Sequence, residues 1–171
     1  MKVLKNIDKY NYLAIGLSNG KVRIYDQELN LYKEIKKHGN DNEKNEIEFK
    51  VKKQYIVTSL TTDEYGEYLF IGFKNGTIEI VAVNDNEIKK IIQNEYEINS
   101  ILFEDKYFCI IFIGDNKGLR IRDNARNIKY FDDNYAPCTS FCFNSNKEYL
   151  FAGFGDGIIR VYHFEWIKDY F

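Results

Sequence analysis

The chain has 171 residues, a formal net charge of −2, 44% hydrophobic residues and 16% aromatic residues. This composition supports one packed domain and argues against a disordered chain. No stretch approaches the roughly 18 uncharged apolar residues of a membrane span, and a charge near zero gives no reason to expect nucleic acid, so we expect neither as a partner. The amino terminus lacks the apolar core of a secretory signal, and three cysteines without one predict reduced thiols and a cytoplasmic location.

Charge is unevenly distributed along the chain. Residues 1–54 carry 12 basic and 8 acidic side chains, whereas residues 55–171 carry 12 and 18. Half of this basic excess lies in a mixed-charge, Asn-rich stretch at residues 33–54. A solvated surface loop is the simpler interpretation, and a docking loop for an acidic surface is the alternative.

Four segments of the chain share one pattern: an apolar run, a glycine, a polar turn ending in glycine, and an alternating apolar run. They read YLAIGLSNGKVRIYD (12–26), YLFIGFKNGTIEIVA (68–82), CIIFIGDNKGLRIRD (109–123) and YLFAGFGDGIIRVYH (149–163). The pattern predicts antiparallel hairpins, because Asn-Gly and Asp-Gly tolerate positive φ. The predicted turn residues are Asn19 and Gly20, Asn75 and Gly76, Asn116 and Gly118, and Asp156 and Gly157. The third glycine comes one position later, so we expect a different turn there.

Each hairpin has a predicted strand before it and another after it. The preceding strands are VLKNI (3–7), IVTSLTT (56–62), INSILFE (98–104) and CTSFCFN (138–144), and the following ones are LYKEI (31–35), IKKII (88–92), IKYF (128–131) and WIKDY (166–170). Equivalent apolar residues recur at spacings of 56, 41 and 40, at Ile24, Ile80, Ile121 and Val161. A period of about 40 with strands alone predicts β-propeller blades, at residues 1–36, 54–93, 96–132 and 136–171. The longer first interval predicts an inserted loop at residues 36–53.

Two of these units carry a family resemblance. Residues 56–80 and 138–164 resemble WD repeats, which implies an all-β fold, a β-propeller of WD-repeat type with about four blades, either partial or open. Where the family has Trp-Asp, this chain has Tyr25-Asp26, Val81-Ala82, Arg122-Asp123 and Tyr162-His163. The Gly-His pair before the first strand is also absent. The His–Ser/Thr–Asp–Trp hydrogen-bond network of the family therefore cannot be assembled, and strand packing must hold the blades.

The last unit, ending GDGIIRVYHF, is similar to late blades of the cilia- and flagella-associated WD-repeat proteins. Those proteins are non-enzymatic scaffolds of the axoneme. The resemblance implies a structural role in the cilium and its cytoskeleton.

Candidate chemical sites are few. By strand alternation, Cys138, Ser140 and Cys142 are expected to point to one face of their strand. A metal site there would need further soft ligands, and the chain offers only Cys109, His38 and His163. Buried thiols acting as small hydrophobes are the preferred interpretation. The run Gly153–Gly157 has no following Lys-Ser/Thr and is explained by a hairpin turn. We expect no catalytic residues, no cofactor and no metal.

Three arginines occupy one position of the repeat. Arg23, Arg120 and Arg160 share a place in the third strand of their units, and Glu79 occupies it in the second unit. A ring of charge for an anionic partner is one interpretation. Pairing of these arginines with carboxylates between blades, with their stems packed on aromatic rings, is the preferred one.

The leading functional hypothesis is a non-catalytic protein-interaction scaffold of WD-repeat type. Its partners are expected to be other protein chains, in a multi-subunit assembly that covers the open propeller ends. One alternative is a soluble cytosolic adaptor that binds a peptide of a signalling or degradation partner. Another is a small closed propeller with a ligand or catalytic site in its channel. Binding resides on loops in such folds, so the repeat itself does not identify the contact residues.

Overall fold

The computed structural model describes residues 3–7, 12–35, 55–85, 87–104, 110–122, 128–132 and 136–163. Its regular elements in these ranges are all β-strands, and no helix there is long and apolar enough to cross a bilayer. The strands are β1 (Val3–Ile7), β2 (Tyr12–Gly16), β3 (Val22–Tyr25), β4 (Leu31–Ile35), β5 (Val57–Thr62), β6 (Tyr68–Phe73), β7 (Thr77–Ala82), β8 (Ile88–Gln93), β9 (Ile98–Glu104), β10 (Ile110–Asp115), β11 (Gly118–Arg122), β12 (Ile128–Asp132), β13 (Cys138–Phe143), β14 (Tyr149–Phe154) and β15 (Ile159–His163).

The strands form four antiparallel sheets in which spatial order follows chain order. Sheet 1 contains β1–β4, sheet 2 contains β5–β8, sheet 3 contains β9–β12 and sheet 4 contains β13–β15. Short connections join consecutive strands, so each sheet is a meander of hairpins. The predicted last strand at residues 166–170 and the predicted insertion at residues 36–53 lie outside the described residues, so both remain predictions.

Glycine gives the hairpin turns their geometry. In the β6–β7 turn, the Gly76 N–H donates to the Phe73 carbonyl oxygen (3.1 Å) and Gly76 has a φ of +85°. Asn75 contributes through its side chain, whose Oδ1 accepts the Thr77 N–H at 3.0 Å. The third hairpin differs, since Asp115 pairs with Gly118 and only two residues form the turn.

Apolar clusters join consecutive sheets. The cluster between sheets 1 and 2 contains Ala14, Val22, Ile24, Leu69, Ile71 and Phe73. The cluster between sheets 2 and 3 contains Phe70, Ile78, Ile92, Ile98, Ile101 and Ile113. The cluster between sheets 3 and 4 contains Leu119, Ile121, Leu150, Ala152 and Phe154. Sheets 2 and 3 therefore each use one face for the preceding sheet and the other for the following sheet. No such cluster joins sheets 1 and 4 among the described strands, so these strands form an open arc.

One expectation about β13 is wrong. The pairing register shifts between Cys138 and Ser140, so Cys138 lies opposite Phe154 and Ser140 lies opposite Gly153. Cys138 is buried and Cys142 is exposed. The three side chains do not share a face, because the extra residue of a β-bulge reverses the alternation that a regular strand would keep. The small-hydrophobe interpretation therefore describes Cys138 and not Cys142.

Candidate functional site

A cavity opens where the first strands of sheets 2, 3 and 4 begin. These strands, β5, β9 and β13, pack beside one another, which brings their starts together with the β6–β7 and β10–β11 turns. The cavity has a volume of about 560 Å³ and is lined by Ile56, Val57, Thr58, Lys74, Glu97, Asn99, Asn116, Pro137 and Thr139. It is called the mouth below.

Three of the lining residues occupy β-bulges. The register of β5 shifts between Val57 and Ser59, that of β13 between Cys138 and Ser140, and the β9–β10 pairing shifts at Asp115. The extra residues are Thr58, Asn99 and Thr139, one from each sheet. Bulges re-aim a side chain away from the regular alternation, and here the re-aimed side chains line the mouth.

Hydrogen bonds hold the bulge side chains in place. Thr58 Oγ1 donates to the Gly72 carbonyl oxygen and Thr139 Oγ1 donates to the Gly153 carbonyl oxygen, both at 3.1 Å. Asn99 Nδ2 donates to the Cys138 carbonyl oxygen at 3.1 Å and thereby links sheet 3 to sheet 4. The mouth therefore presents hydroxyl and amide groups whose positions are held by hydrogen bonds to the backbone.

The mouth also carries opposite charges. Lys74 Nζ lies 3.7 Å from Glu97 Oε1, and these side chains are 48% and 45% exposed. Solvent screens such a pair, so it contributes little to stability and both charges remain accessible to a ligand. Asn99 Nδ2 also contacts Asn116 Oδ1 at 3.2 Å. The arrangement offers donors, acceptors and both signs of charge, which suits binding of a peptide.

The mouth includes one of the predicted turn residues, Asn116. The others remain in their hairpins outside its lining: Asn19, Gly20, Asn75, Gly76, Gly118, Asp156 and Gly157. The bulge residues are not apparent from the strand pattern of any single unit. The signal is the recurring tripeptide Val-Thr-Ser, Ile-Asn-Ser and Cys-Thr-Ser at the starts of β5, β9 and β13, which becomes visible once the three strands are aligned.

A buried polar cluster lies between sheets 2 and 3. Arg120 Nε lies 2.6 Å from Asp115 Oδ2, and Arg120 NH1 donates to Asn94 Oδ1 at 3.1 Å. Asn94 Nδ2 donates to Asp115 Oδ2 at 3.0 Å, and the guanidinium stacks 4.7 Å from the Tyr96 ring. Asp115 and Arg120 are almost fully buried, so the cluster is a structural link between the two sheets.

The other two arginines pair with carboxylates of their own sheets. Arg23 Nε lies 3.0 Å from Glu34 Oε2, and Arg160 NH2 lies 3.1 Å from Asp156 Oδ2. Hydrogen bonds from Lys21, and to a smaller extent from Arg23, lower the pKa of the Glu34 carboxyl below its ordinary value. The arginines thus pair with carboxylates, but these ion pairs, Arg120–Asp115 included, lie within one sheet and not between blades as expected.

Within the described residues, no three His, Cys, Asp or Glu side chains group together as metal ligands.

Comparison with known proteins agrees with this architecture. Residues 126–163 match the family model "WD domain, G-beta repeat". The chain is similar to the crystal structure of the Myceliophteria thermophila Cps50 (Swd1) beta-propeller domain, with a TM-score of 0.72 and 15% sequence identity. The similarity covers 95% of this chain and 51% of that one, so this chain spans about half of that structure. No curated protein matches by sequence. The predicted all-β, open β-propeller fold is thus confirmed, and the match to a WD repeat extends over residues 126–163.

Proposed function

We propose that this chain is a non-catalytic protein-interaction scaffold that binds a segment of another protein at the mouth. The observation that carries the proposal is that three successive sheets each direct a bulged polar residue, Thr58, Asn99 or Thr139, to one cavity. An extended peptide has an N–H and a carbonyl group at almost every residue. The hydroxyl oxygens of Thr58 and Thr139, whose hydrogens are donated within the sheets, can accept peptide N–H groups, while Lys74 and Glu97 select charged side chains.

The scaffold is expected to work within a multi-subunit assembly. The support is the open arc, whose terminal sheets have no mutual contact cluster among the described strands. A place in the ciliary axoneme is the proposed setting, supported by the resemblance of the last unit to axonemal scaffold proteins. Fractionation of a ciliated cell that expresses the tagged chain tests this setting. Retention with detergent-extracted axonemes is expected, and release with the cytosol would favour the adaptor alternative.

Affinity capture with matched variants tests the mouth. Thr139→Arg places a long cationic side chain among the lining residues. Lys74→Glu replaces the Lys74–Glu97 ion pair with two neighbouring carboxylates that repel each other. We expect a partner that the unmodified chain retains to be lost from both variants. Glu28→Arg is the control, because Glu28 is an exposed turn residue of sheet 1 outside the lining. Equal retention of every bound protein by all four chains would show that the mouth is not the binding site.

A further inference from the structure

The turn between β3 and β4 holds Leu29 in an unusual backbone conformation. Its φ is +62°, in the left-handed region that is costly for a large L side chain. Hydrogen bonds fix the turn, because the Leu29 N–H donates to the Asp26 carbonyl oxygen at 3.1 Å and the Asn30 N–H donates to Asp26 Oδ1 at 2.8 Å. The neighbours of Leu29 therefore set its conformation.

Two other turns share this hydrogen-bond pattern and allow a comparison. In the β5–β6 turn the Gly66 N–H donates to the Asp63 carbonyl oxygen at 3.2 Å, and in the β13–β14 turn the Lys147 N–H donates to the Asn144 carbonyl oxygen at 3.0 Å. The φ values of Gly66 and Lys147 are +67° and +60°. Glycine is the residue type that this conformation favours, so the turns with Lys147 and Leu29 carry backbone strain.

The two strained side chains differ in what they contact. Lys147 Nζ lies 3.0 Å from Glu104 Oε1, so the conformation directs this lysine to the neighbouring sheet 3. Leu29 is 68% exposed and belongs to none of the three apolar clusters of the described residues. Strained residues concentrate at functional positions of proteins. The strain at Leu29 is thus without an apolar cluster in the described part of the chain to account for it.

More exposed apolar side chains follow Leu29 directly. Leu31 and Tyr32 are 53% and 49% exposed, and the Tyr32 ring stacks on Tyr12 at a centroid distance of 4.4 Å. The surface formed by Leu29, Leu31 and Tyr32 is called the corner below. Grouped apolar side chains in solvent, edged by polar residues, are typical of protein interaction sites.

Lys33 joins the corner to the next sheet. Its Nζ donates to the carbonyl oxygens of Val83 at 2.6 Å and Asn84 at 2.8 Å. Both acceptors belong to the β7–β8 turn of sheet 2, so that turn lies beside the start of β4. The same turn carries Asp85 and Glu87, which are exposed. The edge of the corner is therefore built from two turns of consecutive sheets.

Carboxylates outnumber cations at this edge. The carboxylates are those of both turns, and the cations are the lysine held on carbonyl oxygens and one that pairs with the β7–β8 turn: Asp26, Glu28, Asp85 and Glu87 against Lys33 and Lys89. A protein surface that complements this edge needs cationic side chains. The same carboxylates disfavour an anionic lipid surface.

We propose that the corner docks into an apolar pocket of a partner protein, with lysine or arginine side chains at the rim of that pocket. Leu29 is the anchor that enters the pocket, and the carboxylates of the two turns pair with its rim. The corner is separate from the mouth, because the β6–β7 turn of the mouth and the β7–β8 turn lie at opposite ends of β7. Glu28→Arg, the control for the mouth, lies at the corner, so a protein lost from that variant alone is a corner partner.

The first measurement asks whether Leu29 serves the fold. Asparagine adopts positive φ more readily than leucine, so Leu29→Asn should relieve strain and raise Tm by about 2–4 °C. The same variant should lose the partner. An unchanged or lower Tm would show that the Leu29 side chain supports the fold, and it would overturn the proposal.

The second measurement identifies what the corner contacts. The full chain carries p-benzoylphenylalanine in place of Leu29 and is cross-linked by light in the cells that naturally make it. We expect one partner protein, cross-linked at apolar residues that have lysine or arginine neighbours, as read by mass spectrometry. The matched position is Tyr65, which is 63% exposed in the β5–β6 turn and should not cross-link that partner.

A pair of charge variants tests the rim. Glu87→Lys reverses a charge at the corner, and Glu95→Lys makes the same change at an exposed residue between β8 and β9, at the mouth end of sheet 2. Glu87→Lys should lower the cross-linking yield from position 29 by at least about fivefold, and Glu95→Lys should leave it unchanged.

Four results of cross-linking would overturn the proposal. They are cross-links within the same chain or to a second copy, contact sites without basic neighbours, equal yields from positions 29 and 65, and equal effects of Glu87→Lys and Glu95→Lys. Failure here differs from failure of the proposed function. A partner lost through Thr139→Arg, with no partner cross-linked from position 29, would retain the mouth and reject the corner.

Discussion

The β6–β7 and β14–β15 turns provide a controlled test of how blades pack against hairpin turns. Gly76 and Gly157 have almost the same backbone conformation, with φ values of +85° and +83°. A Cβ added to Gly76 would lie 2.5 Å from the Asn94 carbonyl oxygen and 2.8 Å from the Tyr96 carbonyl oxygen. A Cβ added to Gly157 meets nothing within 4 Å. Alanine at Gly157 therefore adds backbone strain alone, and alanine at Gly76 adds the same strain plus a clash with backbone.

The expected magnitudes separate the two effects. Holding an L-residue in the left-handed region costs about 1–2 kcal/mol, which applies to both variants. Overpacking against atoms that cannot rotate away adds about 1–3 kcal/mol at Gly76. We therefore expect Gly157→Ala to lower the free energy of unfolding by about 1–2 kcal/mol and Gly76→Ala by about 2–5 kcal/mol. For a chain of this size, each kcal/mol lowers Tm by about 2–4 °C.

Urea and thermal unfolding, followed by far-ultraviolet circular dichroism, measure both values in one buffer. Gly76→Val is a harsher version of the same change, because a β-branched side chain resists positive φ as well as clashing. Equal destabilisation by Gly76→Ala and Gly157→Ala, within about 0.5 kcal/mol, would refute the argument. It would show that the backbone at residues 94–96 moves away and that sheet packing does not constrain this turn.

Three further outcomes are expected. Asp115→Ala leaves the buried Arg120 charge uncompensated and should destabilise the protein by about 3–5 kcal/mol in urea unfolding; a loss below about 1 kcal/mol would mean that water reaches the cluster. In the native chain Cys142 should be alkylated much faster than Cys138, and similar rates at the two thiols, resolved by fragmentation of their shared peptide, would contradict the bulge. The folded-state pKa of Glu34 lies below its ordinary value of 4.5, so its contribution to stability is present above that value and is lost as pH falls through the folded pKa. The stability difference between the unmodified chain and Glu34→Gln should accordingly narrow over that acid range, and a pH-independent difference would exclude the ion pairs as its cause.

Local patterns were enough to predict the hairpins. In β6 and β7 the apolar runs flank Asn75-Gly76, and both the strand alternation and the turn depend on residues close together in sequence. The positive φ falls on the glycine, whereas the asparagine acts through its side chain. The Asn-Gly sequence predicts that one of its residues has a positive φ, but it does not show that the glycine takes this conformation while the asparagine acts through its side chain.

The mouth could not be predicted in the same way. Strand alternation placed Cys138 and Cys142 on one face, and the bulge at Thr139 reverses that assignment. A bulge adds a residue without interrupting the apolar run, so periodicity does not reveal it. Likewise, the contact of Arg120 with Asn94 joins residues that are 26 positions apart, and it exists only because sheets 2 and 3 pack together.

Close contacts of single glycines give sheets 1, 2 and 3 a direction. A glycine in the second strand leaves a space on one face of the sheet, and the first strand of the next sheet fills it, so that a Cβ atom added to Gly72 would lie 2.7 Å from Ile98 Cγ2. Two such glycine positions do not fill each other, because both present an empty space. An association in which the first strand of one sheet fills the space beside the glycine of another is therefore heterologous. A series of such contacts either closes into a ring, when the rotation per blade allows it, or continues as an open filament.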